Sequence, residues 1–410
     1  MKTMEQNHFV TAMLSLAIMS GCSSDEIVKE SVNNESIAFS ITANKNSRSS
    51  EFYCNNNLPS DFYASAFVDK GDGTLKNYMS YEHFQENNGI WKIVGDERYW
   101  PGDGTKLKIY ASNYTSQILP TDEHLYVVLE SNSQLIAYYP PTDSKNHIDL
   151  LYSYTEQGKP EFGKTASINF RHALSMIVFK AKNSLGHAQV KIDEIRLGNL
   201  AYSGYMYYPT KPTDTNYEDH TGAGTYPDEA TVCTWPKAHL IHGMQNHDDD
   251  ATRMFHAELP QTVVLNNGEL KNLTDNDIVE GKETNYGNVF LQIPETFPAW
   301  DHSANKIAIK QKTGAFVYIK CSIQNIADKT ATEPSADDVY IYSDNGKTKY
   351  LALPLNVDWK PGKKYIYTIN FNGKNGGGYD PSTGEEVLVP IEFTVTVDDF
   401  ADAKNNDTNI

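Results

Sequence analysis

Three groups of residues have types and spacings on which chemistry can act. Cys22 follows Met19-Ser20-Gly21. A thiol behind two small side chains is open to transfer of a diacylglyceryl group, and the tetrad resembles a bacterial lipobox with Met where Leu is commoner. Arg48 and Ser49 lie in the polar run Asn44-Lys45-Asn46-Ser47-Arg48-Ser49-Ser50. That composition suits an exposed loop whose arginyl bond a protease can reach. The third group is His239-Leu240-Ile241-His242 with His247-Asp248-Asp249-Asp250 close behind. It offers zinc and calcium ligand types, but its spacing matches no motif with a fixed mechanism, and it reads as a solvated loop.

The first two groups are places where chemistry is done to the chain. Asp72-Gly73 and Asp103-Gly104 read as turns outside the calcium-loop pattern. His172 stands beside an apolar strand and reads as a structural side chain rather than a base. Nucleophile elbow, phosphate loop and dinucleotide fingerprint are all missing from the sequence, and its many carboxylates form no assignable acid and base pair. The expectation is a non-enzyme with no cofactor and no metal.

The elements around Cys22 and Arg48 give both residues a purpose. Residues 9–18, FVTAMLSLAI, form an apolar core of signal-peptide length, too short to span a bilayer. Residues 1–21 are therefore expected to be a lipoprotein signal peptide. Ser23-Ser24-Asp25-Glu26 is short and acidic, and residues 27–36 are polar and without period, as a tether would be. Ile37-Ala38-Phe39-Ser40-Ile41-Thr42 then places Ile37, Phe39 and Ile41 on one face of a strand. Residues 22–48 read as a lipidated propeptide carrying that strand.

Beyond the leader no apolar run approaches membrane-spanning length. The chain has 410 residues, 39% hydrophobic and 21% charged, with 26 tyrosines and a formal net charge of −18. That length suggests two domains, the tyrosines lean toward pleated structure, and the acidity argues against nucleic acid as a partner. Setting Cys22 aside leaves Cys54, Cys233 and Cys321, which allow at most one disulfide or three buried free thiols.

The body reads as short strands divided by turns. Asp61–Val68, Gly89–Val94, Leu107–Ala111, Ser167–Phe170 and Ser175–Ala181 fall within an expected N-terminal β-sandwich over 49–184. Lys191–Leu197, Val289–Ile293, Lys306–Ile309, Ala315–Ile319, Tyr365–Ile369 and Val387–Val397 fall within an expected C-terminal one over 185–410, enlarged by a polar insertion at about 208–251. Tyr202-Ser203-Gly204-Tyr205-Met206-Tyr207-Tyr208 reads first as tyrosines packing along a sheet face and second as an aromatic sugar-binding surface.

These pieces together resemble the fimbrillin family of the Bacteroides group, the subunits of type V pili. The resemblance is carried by the lipobox at Cys22 with its acidic tag, by Ile37–Thr42 followed by Arg48, and by Tyr99-Trp100-Pro101. It continues in Asn169-Phe170-Arg171-His172-Ala173-Leu174-Ser175, Leu259-Pro260-Gln261-Thr262, Trp359-Lys360-Pro361-Gly362-Lys363-Lys364-Tyr365-Ile366-Tyr367 and Val395-Thr396-Val397-Asp398-Asp399-Phe400. It implies an all-β chain of two transthyretin-like β-sandwich domains in tandem after a lipoprotein signal peptide. It also implies a palmitate-bearing outer-membrane lipoprotein precursor, cleaved by an arginine-specific protease between Arg48 and Ser49 and then assembled into a fimbrium. Loss of Ile37–Thr42 would open a groove for a strand of another fimbrillin subunit. Removing residues 1–48, with four basic and five acidic side chains, takes the charge only from −18 to −17. Val387–Val397 reads either as the donor strand or as an ordinary strand of the second sandwich. The polar tail after it leaves stalk, tip and accessory roles open. The expected function is a fimbrial adhesion subunit, with a host or bacterial surface receptor or glycan as a further partner. The alternative is a surface-anchored glycan-binding lipoprotein.

Overall fold

Two patterns build the strands of the computed structural model: alternation, as in Lys363–Phe371, where one face meets the core, and runs such as Phe316–Asn325 that are buried on both faces. Residues 36–43, 58–115, 117–118, 124–161, 164–209, 232–242, 254–274, 288–301, 314–372, 378–381, 385–387 and 391–399 are described. The leader with Cys22, the Arg48–Ser49 bond, Cys54, the expected strand Lys306–Ile309, most of the 208–251 insertion and the tail after Asp399 lie outside them.

The first ten strands are β1 (Ala38–Ala43), β2 (Asp61–Asp69), β3 (Leu75–Asn87), β4 (Ile90–Ile93), β5 (Leu107–Ser112), β6 (Gln117–Ile118), β7 (His124–Glu130), β8 (Ser133–Tyr138), β9 (Leu151–Gln157) and β10 (Ala166–His172). Seven of them close a barrel in the order β1-β10-β9-β5-β2-β3-β4. Asn88 and Gly89, both with positive φ, form the two-residue turn that lets β3 fold back on β4. Phe62, Phe84, Trp91, Trp100, Ile109 and Phe170 fill the interior.

The later strands are β11 (Ser175–Asn183), β12 (Ala188–Gly198), β13 (Ala201–Tyr207), β14 (Ile241–His242), β15 (Phe255–Leu265), β16 (Leu270–Asn272), β17 (Phe290–Gln292) and β18 (Thr296–Phe297). They continue with β19 (Phe316–Asn325), β20 (Tyr340–Tyr342), β21 (Lys349–Pro354), β22 (Val357–Asp358), β23 (Lys363–Phe371), β24 (Gly378–Tyr379), β25 (Glu386–Val387) and β26 (Ile391–Asp399). One sheet runs β16-β11-β23-β26 with β17 also on β11, and faces another running β15-β12-β19-β21-β24-β25 with β20 on β19. Between them lie Phe179, Val190, Ile195, Phe290, Ile319, Leu351, Trp359 and Ile369. A further sheet, β14-β13-β8-β7-β6, covers a third core built on Tyr138, Tyr152, Val178 and Met206.

Two pairings cross the expected boundary near residue 184. β11 precedes it yet runs parallel to β23 over eight residue pairs, Met176↔Lys364 through Asn183↔Phe371. β13 follows it yet pairs with β8. Glu35–Ile410 form one unit. The closing apolar stretch is also divided differently, β25 ending at Val387 and β26 starting at Ile391.

Candidate functional site: the seat of the first strand

β1 is the stave that closes the barrel. It lies parallel to β10 from Phe39↔Ala166 to Ala43↔Phe170 and antiparallel to β4 at Ala38↔Lys92 and Phe39↔Trp91. The Ile37 N–H donates to the Arg98 carbonyl at 2.6 Å, and the Ser40 hydroxyl donates to the Ala166 carbonyl at 3.3 Å. The side chains that the sequence puts on one face all point inward: Ile37, Phe39 and Ile41 are buried, Phe39 with 0% exposure. Its ring centroid lies 5.1 Å from Phe84 and 6.2 Å from both Phe62 and Trp100. Phe62 stacks on Phe84 at 5.0 Å and meets Phe170 edge-on at 5.3 Å. Three such side chains contribute roughly 5–9 kcal/mol of burial as an upper estimate.

The neighbour that depends most on β1 is β10. Its ladder to β9 holds only at Arg171↔Tyr152 and His172↔Leu151. Further up, the side chain of Gln157 takes the place of a strand, its amide donating to the Ser167 carbonyl and its oxygen accepting from the Ser167 N–H at 3.2 Å. Sequence patterning does not single out Gln157, since a lone Gln at a strand end carries no periodic signal. With β1 absent, residues 166–170 would keep an amide side chain on one side and nothing on the other. The result would be an apolar trench with an unpaired edge.

At the other end of the chain, β26 pairs with β23 over nine residues, Phe371↔Ile391 through Lys363↔Asp399. It ends its sheet, and its second edge has no ladder partner among the described residues. Val395 and Val397 are 50% and 54% exposed.

The remaining groups separate in space. His172 is buried, its Nδ1 2.6 Å from Asp149 Oδ1. His239 sits against Tyr205 and Tyr207, whereas His242 Nε2 lies 2.6 Å from Glu295 Oε2. Residues 247–250 lie outside the described residues, among which no group of three or more His, Cys, Asp or Glu is placed to hold a metal ion. Cys233 and Cys321 are buried free thiols. Burial pushes both thiols up to about 12, so neither forms a reactive thiolate near neutral pH. No helix among the described residues is long and apolar enough to cross a membrane.

A family model described as fimbrillin-like matches residues 33–399. Among curated proteins, none matches this sequence. A solved fimbrial protein from Bacteroides vulgatus is 15% identical, with a TM-score of 0.50 over 90% of this chain and 100% of that one. A Bacteroides ovatus protein assigned to cell adhesion is 11% identical, with a TM-score of 0.43 over 90% and 99%. A fimbrial assembly protein from Parabacteroides distasonis is 9% identical, with a TM-score of 0.36 over 89% and 100%.

Proposed function

Because this chain belongs to the fimbrillin-like family, we propose that it is a cell-surface fimbrial subunit whose first strand is a removable plug. The precursor is exported as an outer-membrane lipoprotein anchored through Cys22. An arginine-specific protease cuts between Arg48 and Ser49 and frees residues 22–48. The body from Ser49 onward then joins other fimbrillin subunits by strand exchange.

One observation carries this reading: the stave that closes the barrel is also the segment immediately upstream of Arg48. While the chain is continuous, the short linker keeps β1 at a high effective concentration beside its seat. Once Arg48–Ser49 is cut, β1 is a separate peptide that dilutes away after it dissociates. The trench then binds the best strand available.

The C-terminal strand supports the role of donor. Its run Ile391-Glu392-Phe393-Thr394-Val395-Thr396 repeats the residue classes of Ile37-Ala38-Phe39-Ser40-Ile41-Thr42 at every second position and at both following hydroxyl positions. A strand with that alternation fits β1's register, with Phe393 offered to the pocket that Phe39 fills. Head-to-tail repetition of such a contact gives a filament.

The test is to treat the purified precursor with an arginine-specific protease. The expected product begins at Ser49, has lost residues 1–48, and forms higher oligomers in size-exclusion chromatography, while an Arg48→Gln precursor stays monomeric. A product that never begins at Ser49, or that stays monomeric with or without partner subunits, counts against the reading.

A further inference from the structure

The sheet β14-β13-β8-β7-β6 presents an outer face whose side chains neither the barrel nor the strand exchange uses. Register fixes its rows. Tyr126 on β7 lies opposite Ala137 on β8, and Ala137 lies opposite Tyr205 on β13. Val128, Leu135 and Tyr207 make the next row on the same face. The alternate residues Val127, Ile136 and Met206 point into the core, so the two tyrosines stand outward as walls above a small floor. Tyr126 is 47% exposed and Tyr205 41%, whereas Ala137 is buried between them.

The walls are held in place. The His239 ring packs edge-on against Tyr205 at 5.8 Å and tilts against Tyr207 at 5.5 Å, with its Nδ1 3.1 Å from the Tyr207 hydroxyl. Tyr139 lies two residues beyond the floor, just past the end of β8. Burial, and then the neighbouring phenols of Tyr205, Tyr126 and Tyr202, raise its phenol above the usual range. This tyrosine stays neutral at physiological pH.

Two strand spacings set the backbones that carry Tyr126 and Tyr205 about 9.6 Å apart. We propose that this trough binds carbohydrate, taking an uncharged pyranose between Tyr126 and Tyr205 over Ala137. Aromatic faces attract the C–H face of a sugar, and the surrounding phenols and imidazole supply the hydrogen bonds its hydroxyls need. The lining side chains are uncharged and the chain carries −18 overall, which disfavours sulfated or carboxylated glycans. A peptide strand is disfavoured as well. β8 is hydrogen-bonded on both sides, so this face offers no backbone edge for strand addition.

The test titrates the full, uncleaved chain with neutral gluco-, manno-, galacto- and xylo-oligosaccharides by calorimetry. Binding of at least one is expected, with at least a tenfold loss in Tyr126→Ala and in Tyr205→Ala. Ala137→Gln, which fills the floor and leaves both rings, should lose as much. Tyr78→Ala, an exposed tyrosine on the barrel, should leave binding unchanged. Arg48→Gln should bind as wild type does, which separates this site from the maturation reading. A flat response to the whole panel overturns the proposal. So does binding that survives all three trough variants, or a trough that takes up peptide or a second copy of the chain in place of sugar.

Discussion

The first and last described strands have nearly the same alternation of residues and opposite circumstances. β1 is paired on both edges and closes a barrel, with its large side chains buried. β26 is paired on one edge and leaves Val395 and Val397 half exposed. Apolar alternation therefore does not say how firmly a strand is held. What decides is the number of ladders and the depth of the trench beneath them. A strand with two ladders must break both to leave its place, while a strand with one ladder needs only to detach from a single neighbour.

The largest expected effect tests the deep seat. Phe39→Ala should destabilise the uncleaved precursor by about 3–5 kcal/mol, from lost burial plus the cavity left among Phe62, Phe84 and Trp100. Urea unfolding measures it. A loss under 1 kcal/mol would mean that β1 is held no better than an edge strand.

Acid gives the next effect and separates the seat from the rest of the body. The Leu291 N–H donates to His147 Nδ1 at 2.8 Å, and His147 Nε2 lies 2.8 Å from the Pro141 carbonyl. That arrangement requires a neutral ring, and burial lowers its pKa to about 4 from the ordinary 6.5. The unfolded chain therefore takes up this proton first. Stability from this group is complete above pH 6.5 and falls by about 3 kcal/mol as pH drops to 4. A His147→Gln variant should flatten that limb of the stability curve. None of the aromatic or aliphatic side chains of the seat titrates in this range, so the difference between Phe39→Ala and wild type should be the same at pH 5 and pH 7.

A smaller effect concerns the side chain that substitutes for a strand. Gln157→Ala removes both bonds to Ser167 and should cost about 1–3 kcal/mol. Because this loosens β10 next to β1, it should also speed dissociation of the cleaved N-terminal peptide, followed by mass spectrometry. The smallest effect lies at the edge. Val395→Thr and Val397→Thr should each change monomer stability by less than about 0.5 kcal/mol, yet slow oligomer formation by the cleaved protein. Equal losses in the two assays would place β26 among ordinary structural strands.

Much of the barrel is legible before folding. Ile37, Phe39 and Ile41 read as one buried face and are one. The positive φ of Gly73 and Gly104 is foreshadowed by the Asp-Gly pairs that precede the turns. β3 is longer than any strand the periodicity suggests, because Leu75–Asn87 is mostly polar and exposed on the outside of the barrel. Such a strand carries little hydrophobic signal and is held by its backbone ladders to β2 and β4. The tyrosines at 202–208 divide in a way that composition does not reveal: Tyr208 enters the core while Tyr205 faces out.

Local alternation and turn chemistry by themselves determine that this chain is all-β, and the residue order places an arginine just after its first strand. The tertiary structure alone decides which strands meet. Parallel pairing of β1 with β10 and of β11 with β23 joins residues far apart in the chain. A period of two marks which face of a strand is buried and carries no information about the partner on its edge. That choice belongs to the packing of whole sheets, where side chains such as Phe39 must find a pocket of the right depth.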